Sequence, residues 1–393
     1  MLNKQIKNEN KKVFVGMSGG VDSAVSAYLL KNDGYDVTGV FIKTWQPDYI
    51  ECTWKNDRLD AMRICAQLEI PFKTLDLELE YKKQVIDYML GEYAKNNTPN
   101  PDIMCNKYIK FDGILEFARA EGARIATGHY AKILPPPPSP LPQGEGEENP
   151  NLFLNIPKDK TKDQTYFLYQ IKKENLKDII FPLSDLKKDK VKEIAKKNNL
   201  YVADKKESMG ICMLGDISMK DFLIKELSPK SGDVCDESGE IIGTHDGVIL
   251  YTIGERHGFE IIKKEQDKNH SSLPYFIYKK DNKKNMLYVT QDENKILLSL
   301  NTNTESGITL KEVNSFVDLY KINENKVYKA QTRYHGPLYD VKIKINNNQN
   351  LKNSSLNNLS IKIIPENKKE FFAVPGQSLT VLDDNKLILG GII

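Results

Sequence analysis

The 393-residue chain predicts an α/β fold, with a mostly parallel sheet flanked by helices at the N-terminus and two smaller β-rich domains after it, the last a β-barrel. Three observations carry this reading. Apolar strand-like runs alternate with helix-period segments over the first third of the chain. A glycine-serine loop joins the first strand to the first helix. After about residue 215, short alternating runs separated by Gly, Asn and Asp turns replace the helical periods. The boundaries expected are 1–215, 216–285 and 286–393, with a surface insertion at 134–150 in the first domain.

KKVFVG reads as a buried first strand and SAVSAYLLKNDG as a helix stopping near Gly34. DVTGVFIK is a second strand, NDRLDAMRICAQLEI a helix and PFKTLDL a third strand. YKKQVIDYMLGEYAKNN and IKFDGILEFARAEG predict two more helices, and ARIATGHYA a further strand. Right-handed crossovers then gather the loops at the strands' carboxyl ends along one edge. LPPPPSPLPQGEGEENP, at 134–150, supplies neither ladder donors nor helix formers and reads as an outward excursion. GDVCDESGEIIGTHDGVILYTIGE and LPYFIYKKDNKKNMLYVTQDE predict the central strands. KVYKAQTRYH, LYDVKIKI, LSIKIIP, FFAVPGQSLTVLD and KLILGGII predict the barrel, with the asparagine-rich stretch 346–359 as a hairpin loop.

Composition excludes more than it selects. Fifty-six Lys and Arg against 54 Asp and Glu leave a net charge of +2, so any nucleic-acid surface must be local. Five cysteines, Cys52, Cys65, Cys105, Cys212 and Cys235, at irregular spacing and without a CxxC pair, fit neither a disulfide framework nor a zinc ribbon. No stretch has the length and apolarity of a membrane span, and the polar first residues lack an export segment. An intracellular, cytoplasmic protein without membrane attachment is expected.

Gly16-Met17-Ser18-Gly19-Gly20-Val21-Asp22-Ser23 lies where strand becomes helix. Gly19 and Gly20 permit close approach of a ligand to main-chain N–H groups, Ser18 and Ser23 add hydroxyls, and the helix start offers unpaired donors to an anion. Asp22 repels a bare phosphate, so it belongs beside Mg²⁺ or serves as an orienting acceptor. A capped Ser/Gly turn is the plainer reading; the strand-loop-helix context favours a phosphate cradle. The loop lacks the GxxxxGK[ST] pattern of the common P-loop. Two other stretches hold thiols. In TPNPDIMCNK, two prolines stiffen the approach to a helix on which Asp102 and Cys105 are three apart and share a side. In KESMGICMLG, Gly210 and Gly215 bracket Cys212 with flexible backbone. Either cysteine alone reads as a buried core thiol.

SGGVDS resembles the pyrophosphatase loop of the adenine-nucleotide α-hydrolase-like (Rossmann-like) superfamily. GMSGGVDS, TPNPDIMCNKYIKF, ATGHYAK, KDQTYFLY, SMGICMLG, YTIGERHG, RYH and AVPGQS, in that order, are similar to the tRNA-specific 2-thiouridylase family. The resemblance implies ATP- and Mg²⁺-dependent replacement of the C2 oxygen of the wobble uridine, position 34 of the tRNA, by sulfur. It implies an adenylated uridine and a cysteine persulfide, with AMP and pyrophosphate released. Gly16 through Ser23 (Gly16, Met17, Ser18, Gly19, Gly20, Val21, Asp22, Ser23), Ile42 and Gly128 would bind ATP; the family commonly has methionine where Ile42 stands. Asn100, Pro101 and Asp102 would meet the target base, with Asp102 as general acid or base. Cys212 would carry the persulfide and Cys105 would be the nucleophile paired with it. His129, Lys162, Asp163, Gln164, Arg333, Tyr334 and Gln377 correspond to tRNA contacts, residue types suited to phosphate, base edge and stacking. No metal ligands are assigned. The implied partners are the anticodon loops of glutamine, glutamate and lysine tRNAs and a sulfur donor, either a cysteine desulfurase or a persulfide relay protein; the free protein is expected to be a monomer. The alternatives are a 4-thiouridine-type thiolase and a tRNA-binding protein whose chemistry has lapsed.

Overall fold

The computed structural model describes residues 11–50, 54–135, 152–205, 217–262, 273–301, 307–347, 359–368 and 370–393. The first domain opens with β1 (Lys12–Gly16), α1 (Val21–Asn32), β2 (Asp36–Lys43), α2 (Trp54–Gln67) and β3 (Phe72–Asp76). Two longer helical stretches follow, each widening for part of its length from α to π winding. They run through Glu78–Tyr81, Lys82–Asp87 and Tyr88–Ala94, and through Pro101–Met104, Cys105–Gly113 and Ile114–Ala120. Then come β4 (Arg124–Ala126), β5 (Lys132–Leu134), β6 (Phe153–Asn155), β7 (Ile179–Ile180) and a helix at Lys188–Lys197.

β3-β2-β1-β4-β7 form the first sheet, and every pairing in it is parallel. Alternation along β1 explains its two covered faces. Phe14 packs in the core with Val40 and Ile125, whereas Val13 and Val15 pack with Ala24, Val25 and Ile64. Because β1 has β2 on one side and β4 on the other, the crevice at their carboxyl ends is a topological switch point, where ligands settle in such sheets.

A helix at Met219–Leu227 leads into the central sheet, made of β8 (Gly232–Cys235), β9 (Ile241–His245), β10 (Glu260–Ile261), β11 (Phe276–Asp281) and β12 (Met286–Thr290) in the order β10-β9-β8-β12-β11. The division expected after residue 285 falls inside the β11–β12 hairpin, where Lys280 pairs with Leu287 and Asp281 with Met286.

After a helix at Glu293–Asn301 come β13 (Ile308–Ser315), β14 (Tyr328–Gln331), β15 (Leu338–Asn347), β16 (Leu359–Pro365), β17 (Ser378–Asp383) and β18 (Lys386–Ile392). These six strands close into a barrel through the β13–β18 pairing. Ile343, Ile361, Ile363, Leu379, Val381 and Leu389 fill it. The asparagine-rich stretch joins β15 to β16 as a hairpin connection, Asn347 opposite Leu359, though 348–358 lie outside the described residues.

Two features were not foreseen. The strand expected over ARIATGHYA ends at Ala126, and the segment through His129 leaves the sheet. The expected insertion connects β5 to β6, an antiparallel hairpin that extends the barrel's sheet through Lys386 opposite Asn155; residues 136–151 themselves lie outside the described residues. The first domain thereby grips the barrel, and Tyr166 adds a buried hydroxyl donated to the Ser378 carbonyl at 2.8 Å.

Candidate active site

The loop after β1 is held by its own hydroxyls. Ser23 Oγ accepts from Ser18 N at 3.3 Å and donates to the Gly20 carbonyl at 3.0 Å. Gly19 has φ +73, and a Cβ there would lie 2.5 Å from the Asp57 carbonyl oxygen, so only glycine suits. α1 starts after Gly20 with no side-chain cap, which leaves its first N–H groups for an anion. Gly128, beyond β4, closes the opposite wall: a Cβ there would sit 2.9 Å from Asp22 C and Ser23 N. These features fit a polyphosphate. Met17 and Ile42 are buried, in the cores on opposite faces of the sheet.

Asp22 is the orienting acceptor the sequence allowed. Its carboxylate takes two hydrogen bonds from Lys188 Nζ, at 2.8 and 2.7 Å, and one from the Tyr130 hydroxyl at 3.0 Å. Lys188, whose side chain is only 9% exposed, was invisible in a run of lysines that reads as a solvated helix face. Its backbone N–H caps onto Asp159 at 2.8 Å, which fixes the helix start that delivers it. Among the described residues, no three His, Cys, Asp or Glu gather as metal ligands. Mg²⁺ needs no such cage, since phosphates and water can make up most of its shell, and Asp22, paired with Lys188 and Tyr130, serves the loop rather than the ion.

Asn100 caps the helix at Pro101–Met104, its Oδ1 accepting from Ile103 N, with proline at the first helical position. Asn100, Pro101 and Asp102 face a cavity of about 440 Å³, together with Tyr93, Met219 and Gln377. Cys105 is one turn on, 1% exposed, among Ile103, Ile109 and Tyr166 in the core. Asp102 therefore reaches the cavity while Cys105 lies beneath its wall. Ile217, five residues after Cys212 in the chain, also lines the cavity; Cys212 and the rest of 206–216 lie outside the described residues, as does Cys52.

The remaining candidates divide into two groups. His129 Nδ1 lies 2.9 Å from Thr127 Oγ1, and the ring packs between Phe111 and Phe181. Burial, aided by the Lys110 charge, pushes its pKa well below the ordinary value, so the imidazole is neutral. Gln164 braces the next residue: its Oε1 accepts from Tyr130 N and its own N–H donates to the Tyr130 carbonyl. Asp163 accepts from both the N–H and hydroxyl of Thr165, and burial raises its carboxyl, an effect opposed in part by those two hydrogen bonds and, less, by His335. Arg333, Tyr334 and His335 form an exposed turn beyond β14, with the Tyr334 ring 4.5 Å from Phe167 and stacked on His335 at 3.9 Å. The segment from Lys162 to Gln164 and the Arg333–Tyr334 turn, 171 positions apart in the chain by their first residues, thus lie on one surface.

Gln377 binds the protein as well as facing the cavity: its Nε2 donates to the Thr98 carbonyl at 2.8 Å. Gly376, φ +87, approaches so closely that a Cβ would lie 2.7 Å from Asn97 Cβ. FFAVPGQS is consequently a docking loop up to Gln377, and the strand begins at Ser378. Thr98 was not singled out from sequence; no local pattern marks a threonine gripped by a distant barrel loop.

A family model described as tRNA methyl transferase HUP domain matches residues 11–216, and one described as tRNA methyl transferase PRC-barrel domain matches residues 220–291. The chain is similar to the tRNA-specific 2-thiouridylase MnmA of Francisella philomiragia subsp. philomiragia, with 37% identity over 390 residues, 98% of this chain and 99% of that protein. It is 42% identical over 293 residues to the protein of the same description from Francisella tularensis subsp. novicida, covering 74% of this chain and 78% of that one.

Proposed function

Because the chain belongs to the tRNA-specific 2-thiouridylase family, we propose that it installs sulfur at C2 of the wobble uridine through an adenylated base and a cysteine persulfide. The activity class is that of the family, ATP-dependent tRNA-uridine 2-sulfurtransferase, and the assignment rests on the full-length relative, not on the methyl-transfer wording of the domain descriptions. The observation that carries the finer reading is the cavity faced by Asn100, Asp102 and Gln377, a nucleoside-sized space bordered by Ile217.

In the proposed sequence, uridine O2 attacks the α phosphorus of ATP and pyrophosphate leaves. The free N–H groups at the start of α1 and the Ser18 hydroxyl would hold the phosphates, Ser23 would keep the loop in shape, and Mg²⁺, when bound, would neutralise the phosphate charge. The terminal sulfur of a Cys212 persulfide then forms a bond to C2, and AMP departs with the former O2. Attack of the Cys105 thiolate on the Cys212 sulfur frees the 2-thiouridine and leaves a Cys105–Cys212 disulfide, which a thiol reductant reopens. The same endpoint follows if Cys105 first releases sulfide from the persulfide. Asp102 moves the proton at the base. Because Cys105 is covered in the described state, the step requires local movement of its helix.

His129, the Lys162–Gln164 segment and the Arg333–Tyr334 turn contact the surrounding RNA in this reading, with Tyr334 as an exposed stacking ring. Gln377 and Gln164 act chiefly as braces, since both use a side-chain atom on the protein's own backbone. We further propose three domains, near 1–215, from 216 to the end of the β11–β12 hairpin, and the barrel to 393, a cytoplasmic monomer when free, glutamine, glutamate and lysine tRNAs as substrates, and a persulfide-bearing donor protein. No helix among the described residues is long and apolar enough to cross a membrane.

The decisive test is mass spectrometry of tRNA incubated with protein, ATP, Mg²⁺ and a persulfide source. Sulfur should appear at uridine C2, and Cys212→Ser should abolish it. Undiminished product with Cys212→Ser would remove the persulfide step.

A further inference from the structure

A second cavity, about 400 Å³, adjoins the first, and Thr98 lines both. Three parts of the chain fix Thr98. The Thr98 hydroxyl is 2.9 Å from the Thr252 hydroxyl, its N–H donates to the Pro375 carbonyl at 3.2 Å, and its carbonyl accepts from Gln377. YTIGERHG, to which the reaction above gives no task, builds the far side: Thr252 and Ile253 line the second cavity.

The lining has a consistent chemistry. Tyr278 supplies a half-buried aromatic ring with the Lys295 ammonium 4.8 Å over one face, Lys279 is exposed with its ammonium 4.9 Å from the Tyr288 ring centre, Lys280 brings a further ammonium, and no carboxylate is among the lining residues. Asn96 also faces it, and its Oδ1 is buried without a hydrogen-bond partner. Lys280 donates to the Tyr251 carbonyl, and burial, only partly offset by Glu255, pushes its pKa down to about 8. An aromatic ring, an unsatisfied amide acceptor and ammonium groups match the three parts of a nucleotide: base face, base-edge N–H and phosphate. The cavity is nearly equal in volume to the one beside Asn100, and the two share Thr98.

We infer that this cavity is a second nucleotide subsite, taking the RNA residue adjacent to the target uridine, with its base against Tyr278, its edge at Asn96 and its phosphate toward Lys279. The inference rests on the first cavity receiving the target base. A splayed loop strand then places consecutive residues on the two sides of Thr98, and the enzyme selects its RNA by the neighbour as well as by the target.

The test uses the full-length protein and anticodon stem-loop RNAs that are intact, or abasic on the 5′ or the 3′ side of the target. One of the two abasic RNAs should bind about tenfold or more weakly than intact RNA, the size expected for loss of one base-aromatic stack. Tyr278→Leu should bind intact RNA weakly by a similar factor and cease to distinguish it from that abasic RNA; Tyr278→Phe should retain the distinction. Binding of both abasic RNAs by the native protein within twofold of intact RNA would overturn the inference, and this arm does not depend on the folding of any variant. An equal abasic penalty in native protein and a folded Tyr278→Leu variant would also overturn it. Thiolation of intact RNA is measured separately: absence of sulfur at C2 defeats the parent reading, whereas lost neighbour sensitivity with thiolation intact defeats only the subsite.

Discussion

Replacing Lys188 by methionine keeps most of the aliphatic stem and removes the cation that holds Asp22. The two N–O distances, 2.8 and 2.7 Å, and the 9% exposure of the lysine side chain describe a well-made pair. At an effective dielectric constant of about 20, attraction at this separation is about 6 kcal/mol, most of it cancelled by the cost of desolvating both ions. Removing one partner of a buried pair costs about 3–5 kcal/mol. Asp22 is 33% exposed, so water recovers part of this, and a net loss of about 2 kcal/mol is expected. Trp45 and Trp54, the two tryptophans, both lie in the first domain, so urea unfolding followed by their fluorescence reads the affected unit. Asp22→Asn, Lys188→Met and the double variant complete a cycle whose coupling should exceed about 1 kcal/mol. The lone variant also leaves a bare carboxylate in the phosphate cradle, so its ATP affinity should fall about tenfold, equivalent to about 1.4 kcal/mol. A coupling under about 0.5 kcal/mol, the size of ordinary non-additivity, would show that the pair does not hold the loop.

Three further outcomes follow from the geometry. His129 is neutral when folded but takes up a proton near pH 6.5 when unfolded, so it favours the unfolded state as pH falls below that value. Stability measured by urea midpoint should drop by up to about 1 kcal/mol per pH unit between pH 6.5 and 5, and His129→Gln should flatten the profile; an unchanged profile refutes the assignment. Gly128→Ala places a methyl 2.9 Å from the Asp22–Ser23 peptide, so calorimetric ATP binding should weaken at least tenfold without loss of fold, and native affinity would contradict the close wall. Gly376→Ala, at φ +87 and against Asn97 and Thr98, should cut tRNA thiolation at least tenfold while sparing ATP affinity; equal loss of both would mean the barrel loop supports the whole domain, not the base-facing segment.

Legibility in the sequence followed the range of the forces involved. Strands β1 to β3 and helices α1 and α2 were readable because apolar period and turn residues are local, and their bounds depart from the expected runs by only a few residues. The tight loop after β1 was readable for the same reason: its glycines state a backbone requirement within one short stretch, and Gly19 takes φ +73. Lys188 was not, because its partner is 166 positions away and its neighbours Lys187, Lys190 and Lys192 mimic a solvated face. Asp102 and Cys105 illustrate the intermediate case. Their spacing placed them on one helix correctly, but the transition to wider winding at Cys105 and the packing of Tyr166 against that face decide that one lines a cavity and the other is covered.

The contacts of Thr98 bear on why a chain whose proposed catalytic residues precede residue 216 carries a barrel at all. If the barrel served only to enlarge the RNA surface, its link to the first domain could be loose. Instead Pro375 and Gln377 hold both backbone polar groups of Thr98, two residues before Asn100, while Tyr166 and Tyr169 meet Ser378, where the barrel strand after that loop begins. Buried hydrogen bonds of this kind contribute about 1 kcal/mol each and cost more to leave unmade, so they resist sliding between domains. The Arg333–Tyr334 turn, proposed to meet RNA, therefore belongs to a body firmly connected to the loop proposed to face the base. Gln377→Ala separates the two roles. A lost RNA contact would weaken tRNA binding with turnover preserved, whereas a lost brace would lower kcat at saturating tRNA; the hydrogen bond to Thr98 predicts the second result, and a pure binding defect would refute it.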